Sequence, residues 1–254
     1  EEGFTDDRVR YVMDSECLTD GEVPWLDDEP EARFRATYDV HAADTLTMSL
    51  TVVNTGDVPM SYEAALHSYL HVGDVSDAGL VGLRGATYLD ATETGFPPRL
   101  QEPEAVTFGE RPVDRVYYSD SSVQLRDAVL GRVVHIVKSG SPQTVVWNPG
   151  KEGDHMRCAR PGEWRGFVAV EAAACRDRGV TLAPGESLQR VSPESGPAFS
   201  CSGGTWPYCG AGAYCGVCPY CGFCPYVGTV WPKSWAGVPG AGNPGAAEAP
   251  YGIP

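Results

Sequence analysis

"SYEAALHSYLHVGDV", residues 61–75, sets two histidines and a glutamate into a run that otherwise reads as extended and apolar. Successive side chains of a β-strand point to opposite faces. One face of this run takes Tyr62, Ala64, Leu66 and Leu70, interrupted by Ser68, while the other takes Glu63, Ala65, His67, Tyr69 and His71. A hydrophobic core has no use for the second row, so the strand has a wet side or a working side. Taken alone, a strand histidine ordinarily faces solvent or caps a hydrogen bond. Whether His67 does more depends on the rest of the chain.

The same period of two recurs outward from this run. In "RFRATYDV", Phe34, Ala36, Tyr38 and Val40 alternate with Arg33, Arg35, Thr37 and Asp39; in "DTLTMSLTVVNTGD", Leu46, Met48, Leu50 and Val52 alternate with Thr47, Ser49 and Thr51. Asn54 to Asp57 supply turn chemistry before the next strand. Further strands are expected at "VQLRD" from 123, "RVVHIV" from 132, "TVVWN" from 144 and "GFVAVEAAA" from 166, with "APGES" from 183 as a turn. No stretch carries a capped helical stripe. The fold class is therefore all-β, with antiparallel sheets arranged as a sandwich or a barrel.

With 254 residues, 42% of them hydrophobic, the chain can bury a substantial core. Its net charge of -15 repels nucleic acid and anionic membrane and offers an anionic ligand no long-range attraction, so any anion site must be built locally. No segment approaches the ~20 consecutive apolar residues of a membrane-spanning helix, and residues 1–20 lack a signal-peptide layout. Residue 1 is Glu, and the chain reads as beginning partway through a longer protein. Cys17, Cys158 and Cys175 are spaced like reduced thiols of an intracellular protein, whereas the other six of nine cysteines fall between Cys201 and Cys224. Composition shifts near Ser192 to Gly, Pro, Ala, Tyr and Cys with almost no charge, which reads as a disordered tail over 193–254 behind a domain over 1–192. Within that tail, Cys215, Cys218, Cys221 and Cys224 stand at three-residue steps. The spacing nearly matches an iron–sulfur run with its last gap one short, and it lacks the loop that two zinc knuckles need. No metal is assigned to it.

In "GFVAVEAAAC", Phe167, Ala169, Glu171 and Ala173 share one face. Glu171 is a carboxylate inside a stretch that wants burial. It either reaches water at a sheet edge or sits buried with a raised pKa, as suits a general base working near neutrality.

Taken in order, "AALHSYLHVGDV", "GLRGATYLD", "PVDRVY", "TVVWNPG", "FVAVEAA" and "VTLAPGES" resemble the motif set of the glucose-6-phosphate 1-epimerase (hexose-6-phosphate mutarotase) family, within the galactose mutarotase-like superfamily. The likeness runs from roughly residue 30 to residue 192. It implies a large antiparallel β-sandwich with the sugar site on a concave sheet face. It also implies a proton-transfer pair, His67 and Glu171, and a sugar-binding aspartate, Asp114. In the implied reaction Glu171 takes the proton of the anomeric hydroxyl and His67, as imidazolium, gives one to the ring oxygen; on reclosure the roles reverse. No metal or organic cofactor is implied, the partner is a small sugar phosphate, and the protein is expected to be a cytoplasmic monomer. His71 either lines the cleft or lies at the surface, while His41, His135 and His155 match no motif.

The resemblance also sets expectations that this sequence does not meet. Family members carry about a hundred further residues at the N-terminus, including the arginines that hold the sugar phosphate, so the sandwich is expected to be N-terminally incomplete with an unpaired sheet edge. The family's lysine after the "YLD" motif is here Ala91. A carbohydrate-binding sandwich without turnover is the alternative function.

Overall fold

The computed structural model describes residues 4–5, 7–17, 32–156, 159–195 and 213–214. In chain order its strands are β1 (Phe4–Thr5), β2 (Arg8–Asp14), β3 (Phe34–Ala42), β4 (Leu46–Asn54), β5 (Met60–Tyr62), β6 (Ala64–His71), β7 (Ala78–Val81), β8 (Thr87–Asp90) and β9 (Pro98–Leu100). They continue as β10 (Ala105–Thr107), β11 (Val113–Tyr117), β12 (Val123–Asp127), β13 (Arg132–Ile136), β14 (Gln143–Asn148), β15 (Phe167–Ala174), β16 (Val180–Leu182), β17 (Ser187–Ser195) and β18 (Ala213–Tyr214). The helical elements among the described residues are short 3-10 turns. Strands predicted from alternation at 33, 46, 123, 132, 144 and 166 all appear.

These strands build an antiparallel sandwich. One sheet has nine strands in the order β1-β2-β3-β4-β17-β13-β12-β7-β10, and the facing sheet has seven in the order β18-β6-β15-β14-β11-β8-β9. β5 and β16 form a separate pair. The opening run thus leaves the small pair at Glu63 and enters the seven-stranded sheet. Its apolar row is the inward one: Tyr62, Ala64, Leu66, Ser68 and Leu70 are all buried. Ser68, the interruption in that row, turns its hydroxyl to the sulfur of Met48 on the facing sheet.

Two apolar clusters fill the space between the sheets. One joins Leu80, Leu125, Val134 and Ile136 of the nine-stranded sheet to Val146, Val168 and Val170 of the other; the second joins Phe34, Met48, Leu50 and Val52 to Leu66 and Ala172. Filling the inner face this way leaves the outer face of β6, β15, β14 and β11 for polar residues.

The "WNPG" stretch locks the strands that carry the site. Asn148 Nδ2 donates to the carbonyls of Trp164 and Phe167, each at 2.8 Å, and its Oδ1 accepts from Gly150 N at 2.9 Å. A single buried amide therefore pins the end of β14 to the start of β15. Gly150 turns with φ of 56°, and a Cβ there would fall 2.5 Å from the Glu110 carbonyl oxygen, so both the backbone conformation and the space demand glycine.

β6 lies next to the outermost strand of the seven-stranded sheet among the described residues. Among the described residues its outer edge pairs only at Leu70 and Tyr69, with Ala213 and Tyr214.

Candidate active site

Register brings the two predicted proton-transfer residues together. β15 runs antiparallel to β6 with Glu171 directly opposite His67, and β14 on the other side sets Val145 opposite Glu171. Directly opposed residues on one face have Cβ atoms about 5 Å apart, within reach for two polar side chains. His67 Nε2 lies 3.2 Å from Glu171 Oε1, with the two side chains 18% and 7% exposed. A slip of one residue in either strand would turn the two side chains to opposite faces. Glu171 is buried and its strand has a neighbour on both sides, so the alternative of a carboxylate in water at a sheet edge does not hold.

Burial works against charge on both groups. It pushes the Glu171 carboxyl up to about 8, helped by the nearby negative charge of Asp114, and pulls the His67 imidazole down to about 4. At neutral pH the resting pair therefore holds one proton, on Glu171. Transfer of that proton to His67 would leave a carboxylate and an imidazolium 3.2 Å apart, whose mutual attraction offsets part of the cost of charging two buried groups. His67 Nδ1 is buried and has no hydrogen-bond partner among the described residues.

An aromatic wall stands beside the pair. The His67 ring stacks on Tyr69 at 4.5 Å between centroids, Trp147 stacks on Phe167 at 5.8 Å, and Tyr69 meets Trp147 edge-on at 6.2 Å. Such an apolar surface with a few convergent polar groups is the usual lining of a small-molecule site. Asp114 of β11 is the register partner of Trp147 and so projects from the same face. Burial raises its pKa, and the charges of Arg176 and Asp90 act on it in opposite directions, Arg176 lowering it and Asp90 raising it.

His67, Glu171 and Asp114 thus share one face of one sheet. His71 is exposed at the end of β6, opposite Phe167. His41 lies on the nine-stranded sheet against Asp7 at 3.1 Å, and His135 and His155 are exposed. Trp147 and Phe167 were not singled out from sequence, although each is an aromatic residue on the same alternation as a predicted site residue or its neighbour. Among the described residues no three His, Cys, Asp or Glu side chains gather as metal ligands, and no helix is long and apolar enough to cross a membrane. Cys215, Cys218, Cys221 and Cys224, and with them the tail reading, lie outside the described residues.

A two-sheet antiparallel sandwich is the architecture of the galactose mutarotase-like structures it superposes on, and the chain belongs to the aldose 1-epimerase family, whose profile matches residues 28–192. A curated relative from Cenchrus ciliaris, named "Putative glucose-6-phosphate 1-epimerase", is 32% identical over 177 residues, covering 68% of this chain and 53% of its own. The chain thus spans about half the length of that relative. A structure from Salmonella typhimurium, titled "a putative mutarotase (YeaD)", superposes with a TM-score of 0.63 at 21% identity, covering 76% of this chain and 62% of that one. A galactose mutarotase related enzyme from Lactobacillus acidophilus gives 0.60 at 12% identity, covering 78% and 70%. At those identities the two structures speak for the fold.

Proposed function

We propose that this chain interconverts the α and β anomers of a hexose 6-phosphate, with glucose 6-phosphate as the reference substrate and His67 and Glu171 as the proton-transfer pair. The observation that carries the reading is the 3.2 Å approach of His67 Nε2 to Glu171 Oε1 on a face lined by Tyr69, Trp147 and Phe167. The phosphate is supported by the relatives' names and by the motif likeness.

The chemistry follows from the pair's single proton. Once a pyranose separates the partners, shifting that proton from Glu171 to His67 sets up a carboxylate and an imidazolium. Glu171 then takes the proton of the anomeric hydroxyl, the bond between C1 and the ring oxygen breaks, and His67 protonates that oxygen. The product is an open-chain aldehyde. Rotation about C1–C2 presents its other face, and reclosure runs the transfers backwards, returning each proton to its donor. Asp114 accepts hydrogen bonds from sugar hydroxyls and fixes the ring. The residues named supply both donor and acceptor for each proton transfer.

A second reading, a carbohydrate-binding sandwich without turnover, is favoured by the unpartnered Nδ1 of His67, since among the described residues only Glu171, at Nε2, orients the imidazole. Saturation-transfer NMR on equilibrated glucose 6-phosphate separates the two. Exchange between anomers faster than in buffer is expected; binding without added exchange establishes the second reading instead.

A further inference from the structure

The described residues contain two non-glycine positions with left-handed backbone, Phe96 at φ 49° and Arg176 at φ 56°. They touch each other. The Arg176 guanidinium carbon sits 3.7 Å from the centre of the Phe96 ring. Left-handed backbone is unfavourable for both side chains, and such positions persist where the surroundings hold them, often at ligand sites.

Arg176 follows β15, and Phe96 lies in the turn between β8 and β9. Those two strands are separated in the sheet by β14 and β11, three strand spacings or roughly 14 Å. The contact therefore reaches across the strands that carry Trp147 and Asp114. The turn itself is tied to Asp114, because Ala91 N donates to the Asp114 carbonyl at 2.8 Å. The Arg176 charge also acts on the Asp114 carboxyl, opposing the rise that burial gives its pKa.

Arg176 has no side-chain hydrogen bond and no ion pair among the described residues. Arg99, by contrast, is held by Glu93 at 2.6 Å, and Arg115 is turned toward Gln101 and Tyr117. Stacking on Phe96 occupies the flat face of the guanidinium and leaves its five N–H donors free in the ring plane, the arrangement that grips a phosphate with two parallel bonds. Position 91, at the start of the same turn, is alanine and brings no charge. In a chain of net charge -15 a local fork is what an anionic substrate requires.

The geometry points to Arg176, seated on Phe96, as the fork that binds the phosphate of the sugar and sets the preference for a phosphorylated substrate. This assignment rests on the hexose-phosphate reading above. The test compares glucose 6-phosphate with glucose in wild type, Arg176→Gln, Arg176→Lys and Phe96→Leu. Arg176→Gln is expected to lower kcat/KM for glucose 6-phosphate by about 10- to 100-fold, the worth of a charge-assisted hydrogen bond to an anion, while leaving glucose unchanged. Arg176→Lys restores part of the loss because an ammonium keeps the charge without the fork, and Phe96→Leu gives an intermediate loss. Unchanged turnover of glucose is the folding control within the same experiment. A preference for glucose 6-phosphate that survives in Arg176→Gln, or an equal loss on both sugars, overturns the assignment. Equal rates on the two sugars in wild type overturn both the fork and the phosphate part of the proposed function. If wild type exchanges neither sugar, the catalytic reading fails by itself, and titration calorimetry decides the fork: weaker glucose 6-phosphate binding by Arg176→Gln supports it and equal binding overturns it.

Discussion

Replacing Glu171 with glutamine should stabilise the protein while removing its activity, and the gain should depend on pH in a defined way. Glutamine keeps the size and the hydrogen-bonding end but cannot ionise. In the wild type, burial raises the folded-state pKa from 4.5 to about 8. A raised pKa means that its contribution to stability is fully present below 4.5 and is lost as pH rises through the folded value. Between those limits the unfolded chain releases a proton that the folded chain keeps. At pH 7 the wild type is therefore penalised by about 3 kcal/mol relative to Glu171→Gln, and at pH 4 the penalty is gone. His67, depressed toward 4, contributes stability that is lost as pH falls from 6.5; the group is present in both proteins and largely cancels in the comparison. Urea unfolding of the two proteins at pH 4, 5.5 and 7 reads the difference from the transition midpoints. A gain that grows steadily with pH is expected. A variant that is less stable than wild type at pH 7 would show that Glu171 rests as a carboxylate paired with imidazolium, and the neutral resting pair would be refuted.

Further outcomes follow from the same geometry. Because the pair must hold one proton, kcat/KM for anomer exchange should be bell-shaped, falling below about 4 as His67 gains a proton and above about 8 as Glu171 loses its own; a flat profile across that range rules the pair out as the proton carriers. Asp114→Asn should raise KM and lower kcat/KM roughly 10- to 100-fold on both phosphorylated and free sugar, which steady-state kinetics would read directly. Arg190 is fully buried, and among the described residues its Nε and Nη2 are unpartnered and the Tyr62 hydroxyl, 3.3 Å from Nη1, is its one hydrogen-bond partner, so Arg190→Met should leave stability unchanged or raise it by about 1–3 kcal/mol in urea unfolding. Gly150→Ala should cost more than about 2 kcal/mol in the same assay, because it strains the turn and drives a Cβ against the Glu110 carbonyl.

The faces of β6 and β15 were legible from alternation alone, because a period of two leaves no freedom once a strand is assigned. That reading separated His67 from Leu66 and Glu171 from Val170 before any pairing was known. What it could not supply was the register that puts His67 opposite Glu171, since that pairing of β6 with β15 joins residues far apart in the chain. The resting charge state was hidden for a related reason. A sequence shows a carboxylate and an imidazole, while their proton distribution depends on how much water the fold removes from each. Arg176 and Phe96 were the least legible of all. Neither stands in a regular alternation, and they meet only because two turns from distant strands adopt left-handed backbone and lean over the same face.

The most direct test is anomer exchange itself, measured by saturation-transfer NMR with glucose 6-phosphate for wild type, His67→Asn and Glu171→Gln. The account predicts catalysed exchange in the wild type that falls to the buffer rate in both variants, each still folded. Full exchange in either variant would contradict it, because the ring would then open without one member of the pair.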